Sequence, residues 1–104
     1  MHSLGTLEET ILLLVLAMNE DAYGFSVSEA YREHMGKTIS ISAVHTVLAR
    51  LEKKGLISSE LGGATSERGG RRKLIFTLTS AGEQALAEIK ASRQKLWSRI
   101  PRLS

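Results

Sequence analysis

The most chemically distinctive residues of this chain form a short basic run in its second half. Four cations lie within six residues, around the pair Gly69-Gly70, and they are Arg68, Arg71, Arg72 and Lys73. Guanidinium groups bind paired phosphate oxygens through two parallel hydrogen bonds, and neighbouring glycines leave such a run flexible. The run therefore predicts a contact surface for a polyanion.

A second candidate surface precedes this run and consists of small and polar residues between apolar ones. The apolar residues recur at helical spacing, and they are Val44, Val47, Leu48 and Leu51. If these face a core, the outward residues are Ser42, Ala43, His45, Thr46, Ala49 and Arg50. Small side chains let a helix approach base edges, hydroxyls can bond to bases, and Arg50 and Lys53 can reach phosphates. The alternative is an ordinary solvated face, which would normally carry more glutamate and lysine.

The rest of the sequence predicts the elements that position these two surfaces. The expected elements are a helix from a Thr6–Glu9 capping box to about Met18, a helix from near Ser26 to Gly36, a helix capped by Ser40 and closed by Gly55, strands Ile57–Leu61 and Leu74–Leu78, and a helix capped by Thr79 and ended by Pro101. Thr38-Ile39 is expected to be extended, or a very short strand.

This order predicts a mainly α fold with a small β-hairpin, the winged helix-turn-helix, completed by a C-terminal helix. We expect one compact unit, with residues 1–79 forming the winged helix-turn-helix and residues 80–104 forming a dimerisation helix. In this arrangement the third helix can lie in a DNA major groove while the hairpin loop reaches the flanking backbone or minor groove. The arginines of the loop suit a narrow minor groove.

Composition and charge agree with one DNA-binding domain. The chain has 104 residues, no cysteine and a net charge of +3. Residues 1–35 carry six acids against one base, whereas residues 36–104 carry thirteen bases against five acids, which favours a polyanion partner for the second half. The apolar run Ile11 to Met18 is too short to span a bilayer and lacks the features of a signal peptide, so we expect a cytoplasmic protein with no membrane partner.

An enzyme is the first alternative, and the sequence offers no mechanism for one. The three histidines, His2, His34 and His45, have no metal-ligand spacing. Neither an H-E-x-x-H helix, a P-loop lysine pattern nor a G-x-S-x-G turn occurs. We therefore predict no catalytic residues, no metal and no cofactor.

Two helices carry more apolar residues than one chain of this size can bury. On the first helix, Leu12, Leu13 and Leu16 lie on the side opposite the inner stripe. On the last helix, Leu86, Ile89, Leu96 and Ile100 follow a 3-4 spacing. Arg93 occupies the one position of this pattern that is not apolar. The excess on the first helix indicates a partner subunit.

The chain resembles the PadR family of bacterial transcriptional regulators over nearly its whole length. The motifs that carry the resemblance are Leu4-Gly-Thr-Leu-Glu-Glu9, Ala22-Tyr-Gly-Phe25, Val44-His-Thr-Val-Leu-Ala-Arg-Leu-Glu-Lys-Lys-Gly-Leu-Ile57, Gly70-Arg-Arg-Lys73 and Phe76-Thr-Leu-Thr-Ser-Ala-Gly82. The first and last recur in other winged-helix regulators, but all five in this order are specific to this family.

The resemblance implies a homodimeric repressor that pairs through its first and last helices and acts on a palindromic operator in double-stranded DNA. On that basis the dimer contacts are expected at Leu12, Leu16, Leu86, Ile89, Leu96 and Ile100. Some short members bind flat hydrophobic ligands at the dimer centre through a tryptophan of the last helix. Trp97 is the corresponding candidate for a small-molecule effector, and plain packing in the interface is its alternative role.

One departure from the family pattern falls on the third helix. The family usually carries Tyr-Pro where this chain has His45-Thr46, and that tyrosine commonly touches a phosphate. The resemblance carries phosphate contact over to His45, which can donate to phosphate and gain a proton in its field. We therefore expect DNA affinity to rise as the pH drops from about 8 to 6, the range in which histidine titrates.

Two other binding functions stay open at this level. A winged-helix module can serve protein–protein or RNA contact, since a fold does not fix a function. Such a module would lack the basic run and the small-residue face of the third helix. A MarR-like regulator is the nearer rival, but these regulators usually have additional dimerisation helices that 104 residues cannot supply.

Overall fold

Four helices and one antiparallel hairpin form the chain in the computed structural model, which describes residues 4–62 and 73–103. The elements are α1 (Thr6–Met18), α2 (Gly24–Met35), α3 (Ile41–Lys53), β1 (Ile57–Leu61), β2 (Leu74–Leu78) and α4 (Ser80–Trp97), with 3₁₀ turns at Asn19–Asp21 and Pro101–Leu103. The strands pair in register from Ile57 opposite Leu78 to Leu61 opposite Leu74. The predicted fold class and both predicted strands are confirmed.

The core lies where α1, α2 and α3 meet the hairpin. Its side chains are apolar and come from every element, and they include Ile11, Leu12, Val15, Ala22, Val27, Val44, Leu48, Leu51, Leu56, Ile57 and Phe76. The backbone joins the same layers, because the Phe76 amide donates to the Ala22 carbonyl at 2.8 Å. This bond ties the turn after α1 to β2 and so fixes the hairpin against the helices.

The caps predicted for α3 and α4 are confirmed. The Ser40 hydroxyl accepts a hydrogen bond from the Ala43 amide at 3.0 Å. The Thr79 hydroxyl accepts one from the Gly82 amide at 3.1 Å and also donates to the Gly55 carbonyl at 2.7 Å. Thr79 therefore starts α4 and holds it against the turn that follows α3.

The starts of α1 and α2 differ from the prediction. In α1 the N-cap is Gly5, and its amide donates to the Glu8 carboxylate at 3.0 Å, so Glu8 rather than Glu9 closes the first turn. In α2 the N-cap is Tyr23, and its amide donates to the Ser26 hydroxyl at 2.9 Å. Ser26 is thus the third residue of the helix rather than its beginning. Residues 38–39 belong to neither a helix nor a strand.

A close backbone approach packs α4 against the turn between α3 and β1. A Cβ added to Gly82 would overlap the Leu56 carbonyl oxygen, so only glycine allows this contact. The Thr79 amide also donates to the Leu56 carbonyl at 3.0 Å. The first turn of α4 is consequently anchored at the turn that follows α3.

Beyond Leu86, α4 extends away from the packed core. From residue 87 to residue 99 every side chain is exposed except the half-buried Ile89. The molecule measures 55 × 29 × 20 Å, and its radius of gyration of 15.4 Å exceeds the roughly 13 Å of a compact chain of this length. Within residues 4–62 and 73–103 no helix is both long enough and apolar enough to cross a membrane.

Candidate nucleic-acid interface

Helix α3 presents the predicted outward face to solvent. Its inner stripe is fully or almost fully buried, and consists of Val44, Val47, Leu48 and Leu51. The outward residues Ser42, His45, Thr46, Ala49 and Arg50 are exposed, while Ala43 is half-buried. The structure therefore brings these six residues together on one accessible helix. Their contact with DNA stays a prediction.

The Thr46 hydroxyl is already engaged within this helix. It donates to the Ser42 carbonyl, one turn earlier, at 3.1 Å. A threonine bonded in this way directs its hydroxyl proton towards the backbone of its own helix. Thr46 therefore offers an acceptor and a methyl group to an approaching ligand, and no donor.

His45 rests against the first turn of α2. A Cβ built on Gly24 would overlap the imidazole Nε2 and would lie 2.7 Å from its Cε1. Gly24 is fully buried under this ring, although His45 itself counts as exposed. The absence of a side chain at Gly24 is thus what lets the imidazole pack between the two helices of the helix-turn-helix. The predicted phosphate contact of His45 stays untested.

The C-terminal end of α3 is basic and is tied to α1. The Lys54 ammonium donates to both oxygens of Glu8, at 2.9 and 3.0 Å. Donation from Lys54, and then from the Gly5 amide, holds the pKa of Glu8 below its ordinary value. Because the Glu8 side chain is mostly buried, this pair fixes the end of α3 to the start of α1.

Only the base of the predicted wing falls within the described residues. Lys73 is exposed, and its ammonium lies 4.2 Å from the centroid of the Tyr23 ring, a cation–π contact. The Gly62 amide donates to the Lys73 carbonyl at 2.7 Å and closes the last rung of the hairpin. Arg68, Arg71 and Arg72 lie outside the described residues, so their predicted contacts stay predictions.

The predicted dimer residues divide into two groups. Leu12 is 0% exposed and belongs to the core, so its predicted place on a subunit surface is corrected to packing within the chain. Leu86 is also largely buried, and Ile89 and Ile100 are half-buried. Among the six predicted residues only Leu16 and Leu96 are exposed, at 44% and 63%.

The groove between α1 and α4 contains residues that the sequence did not assign to a site, among them Glu9, Leu13 and Arg93. Leu13, which is 48% exposed, lines this groove with Leu16 and Trp97. Across the groove the Arg93 guanidinium donates to Glu9 at 2.9 Å, which accounts for the missing step in the apolar pattern of α4. The periodicity of α1 does not distinguish the exposed Leu13 from the buried Leu12, and nothing in the sequence pairs Glu9 with Arg93.

The described residues contain no cluster of histidine, aspartate and glutamate side chains that could hold a metal ion. The described residues offer hydrogen bonding and charge on α3, a basic end beside it, and a mostly apolar groove on α1 and α4. These are means of binding.

Comparison with known proteins identifies the family. The model of the transcriptional regulator PadR-like family matches residues 12–88. An uncharacterized protein of Lysinibacillus sphaericus is 32% identical over 87 residues, which are 82% of this chain and 75% of that protein.

Solved structures share the fold over nearly the whole chain. A PadR-like transcription factor of Bacteroides fragilis is 27% identical with a TM-score of 0.76, and the match covers 96% of this chain and 91% of that one. A PadR-like regulator of Bacillus cereus is 25% identical with a TM-score of 0.74, over 95% and 91% of the two chains. Bacillus subtilis PadR in complex with operator DNA is 22% identical with a TM-score of 0.65, over 80% of this chain and 45% of that one, and shows the fold alone.

The family match covers all of α2, α3 and the hairpin and most of α1. The matched family consists of transcriptional regulators rather than enzymes, which confirms the prediction that the chain has no catalytic function. The chain belongs to the PadR-like family of transcriptional regulators.

Proposed function

We propose that this chain is a homodimeric repressor that binds a palindromic operator in double-stranded DNA. In this proposal α3 enters the major groove, the hairpin loop follows the flanking backbone, and a hydrophobic small molecule at the dimer centre releases the DNA. The observation that carries the proposal is the exposed small-residue face of α3, whose opposite face is held rigidly in the core.

The shape of α3 supports entry into a groove. Ser42, Thr46 and Ala49 are small and exposed, and Ser42 lies in the first turn after the Ser40 cap, with Thr46 in the second turn and Ala49 in the third. A recognition helix contacts base edges with the residues of this end. Arg50 and Lys53 follow at the exposed C-terminal end, where they can hold the phosphate backbone.

The hairpin loop supplies most of the proposed affinity. Arg68, Arg71 and Arg72 precede Lys73 in the sequence, and they add three positive charges to it. Cations on phosphates contribute affinity through counterion release and carry little sequence information. The relative that is bound to operator DNA, Bacillus subtilis PadR, shares this fold, which supports the same kind of ligand here.

The proposed dimer uses the exposed apolar surface of α1 and α4. The second half of α4 contributes Leu96 and Trp97, which are 63% and 52% exposed. A helical segment of this length that leaves its own chain is marginal in water, because helix formation needs packing on an apolar face. A second copy with the same surface would supply that packing, as an isologous interface requires. A two-fold dimer in turn reads a palindrome.

The proposed effector site lies in the groove between α1 and α4. This groove has a volume of about 690 Å³, within the range of small-molecule sites, and is mostly apolar. Trp97 stands at one end of it, and Glu9 with Arg93 supplies a polar bridge. Trp97 is the single tryptophan of the chain, so its fluorescence would report a flat hydrophobic probe without background. Repression is proposed from the family resemblance, and we also propose that the protein works in the cytoplasm.

The test is fluorescence anisotropy with a duplex taken from upstream of the gene that encodes this chain. A scrambled duplex of the same composition serves as the comparison, and both are titrated with salt. We expect tighter binding to the upstream duplex, with an affinity that falls steeply as salt rises. The double variant Arg71→Ala with Arg72→Ala should lower the log–log salt slope by about two.

A matched control separates the wing from charge in general. Arg99→Ala with Arg102→Ala removes the same charge beyond the end of α4 and should leave the slope unchanged. Equal slopes for the two double variants would contradict the role of the wing. No binding to any duplex at low salt would contradict the whole proposal and favour a protein-binding module.

A further inference from the structure

The outward face of α3 is unusual in the groups that it offers to a base pair. At about 100° per residue, Ser42, Thr46 and Ala49 lie opposite the buried stripe and form the centre of this face. All three are exposed. Sequence-reading helices commonly carry arginine, asparagine or glutamine here, because these side chains pair with guanine or adenine through two hydrogen bonds. In α3, which the structure describes in full, no such residue occurs before Arg50.

The donors that the sequence places on this face are directed elsewhere. The Thr46 hydroxyl gives its proton to the Ser42 carbonyl at 3.1 Å. The His45 ring stands at the edge of the face and packs over Gly24, with Nε2 turned towards the first turn of α2. Both contacts are internal to the helix-turn-helix, so the Thr46 proton reaches a base only if its bond breaks, and the Nε2 edge of the His45 ring faces the protein.

Besides the Ser42 hydroxyl, what remains at the centre of the face before Arg50 is a pair of methyl groups. Thr46 contributes its Cγ2 methyl, because its hydroxyl is bonded along the helix, and Ala49 contributes its Cβ one turn later. Ala43 adds a third methyl at the half-buried edge. Beside them the Ser42 hydroxyl is the one polar group that the first turn keeps at the centre of the face.

We propose that α3 recognises its operator chiefly through thymine methyl groups, with Thr46 as the specificity-determining residue. The inference rests on the proposed function, since it names the bases that the same helix would read. In the major groove thymine alone presents a methyl group, on C5, and alanine and threonine methyls are its natural partners. Thr46 and Ala49 lie about one turn apart on the helix, so they can contact neighbouring base pairs of one half-site.

The proposal makes a prediction about the operator itself. Each half-site should hold thymine at the one or two positions opposite the first turns of α3. Guanine should be enriched only where Arg50 or Lys53 can reach it, towards the edge of the half-site.

The experiment begins with selection from a pool of random duplexes by the 104-residue chain, which yields a bound site without knowledge of the operator. In the selected duplex each thymine is then replaced by deoxyuridine, which removes the methyl group and leaves base pairing intact. We expect about a fourfold loss of affinity for each contacted methyl, and about fifteenfold when both half-sites are changed.

Two variants at position 46 decide whether the methyl or the hydroxyl is read. Thr46→Val keeps the methyl group and replaces the hydroxyl with a second methyl, whereas Thr46→Ser keeps the hydroxyl and removes the methyl. We expect Thr46→Val to bind within about twofold of the parent chain and to keep its sensitivity to deoxyuridine. Thr46→Ser should lose about fourfold per half-site and become insensitive to deoxyuridine at one position. Position 46 is exposed, and thermal unfolding of each variant verifies that the fold is retained.

The opposite pattern would overturn the inference. If Thr46→Ser binds like the parent chain and Thr46→Val does not, the hydroxyl is the group that reads the base. Selected sites without thymine in the half-site core, or full affinity on deoxyuridine duplexes, would also overturn it. A pool from which no duplex is enriched would instead contradict the proposed function, so the two failures are distinguishable.

Discussion

Helices α3 and α4 both carry large apolar side chains, but α3 buries them and α4 leaves several exposed. In α3 every inward apolar side chain is buried by the chain's own elements, and Leu48 and Leu51 have no exposed surface. In α4 only the first two turns are packed, and Leu96 and Trp97 remain mostly exposed beyond them. A helix that is packed on all sides of its apolar stripe can present a rigid face to a ligand. A helix that extends beyond the core leaves apolar side chains exposed, and in the proposed dimer a second chain would bury them.

The difference has an energetic basis. Burial of apolar surface stabilises α3 in the monomer, so its orientation does not depend on assembly. The exposed half of α4 is joined to its own chain through the Arg93–Glu9 pair, and exposed ion pairs contribute little to stability. Its helical structure should therefore depend on dimer formation.

The largest effect is expected from a cavity under α3. Leu48→Ala removes a fully buried side chain, so we expect a loss of about 3 kcal/mol in the free energy of unfolding, measured by urea denaturation at fixed protein concentration. Leu96→Ala is the matched change on α4, and in the monomer it should cost far less. Equal losses in the two variants at concentrations below dimer formation would contradict the contrast between the helices.

A charge on the exposed half of α4 should break the dimer without unfolding the rest. Leu96→Asp places a carboxylate in the proposed interface, so we expect the dimer dissociation constant to rise at least tenfold in sedimentation velocity experiments. Ala91→Asp is the control, because residue 91 does not line the groove between α1 and α4. If both variants dimerise like the parent chain, the interface lies elsewhere.

A methyl group at Gly24 should disturb the orientation of α3 from the side of α2. Gly24→Ala pushes a Cβ into the His45 ring, so we expect a loss of about 1–2 kcal/mol in unfolding free energy together with weaker DNA binding. Gly5→Ala is the control, since nothing lies within 4 Å of a Cβ at that position. A Gly24→Ala chain with parental stability and affinity would show that this contact does not position α3.

The smallest effect concerns the ion pair between the start of α1 and the end of α3. Hydrogen bonds from Lys54 and Gly5 lower the pKa of Glu8 in the folded chain, so folding favours its charged form. The resulting stabilisation is present at neutral pH and disappears as the pH falls through the lowered pKa of the folded state. Between pH 7 and pH 3 the parent chain should therefore lose more stability than Glu8→Gln does, by at most about 1 kcal/mol.

Urea denaturation at both pH values measures this difference. The exposed Glu20 provides the control, and Glu20→Gln should lose as much stability on acidification as the parent chain. An identical pH dependence of the parent chain and Glu8→Gln would show that the pair contributes nothing.

The sequence was most informative where one periodicity decided the structure. The inner stripe of α3, its Ser40 cap and both strands were predictable, because each rests on a local pattern and local hydrogen bonds. The roles of Leu12 and Leu13 were not predictable from periodicity. These neighbours lie only about 100° apart on a helix that is apolar on most sides, so the packing of the whole chain determines which one is buried.

Contacts between distant residues were also beyond the sequence. Glu8 and Glu9 are adjacent carboxylates, yet one caps α1 and bonds to Lys54 while the other bonds to Arg93. Which partner each one takes depends on how α3 and α4 cross α1. The packing of His45 on Gly24 likewise exists only because two helices meet at that point.

The mass of the protein–DNA complex tests the central claim most directly, because it depends on both helices at once. Light scattering is measured on the 104-residue chain, of 11.4 kDa, mixed with a selected palindromic duplex at low salt. If α3 reads a half-site and α4 joins two chains, the complex contains the duplex and two chains, and Leu96→Asp shifts it towards one chain per duplex. A complex with a single parent chain, or no complex with any selected duplex, would contradict the account.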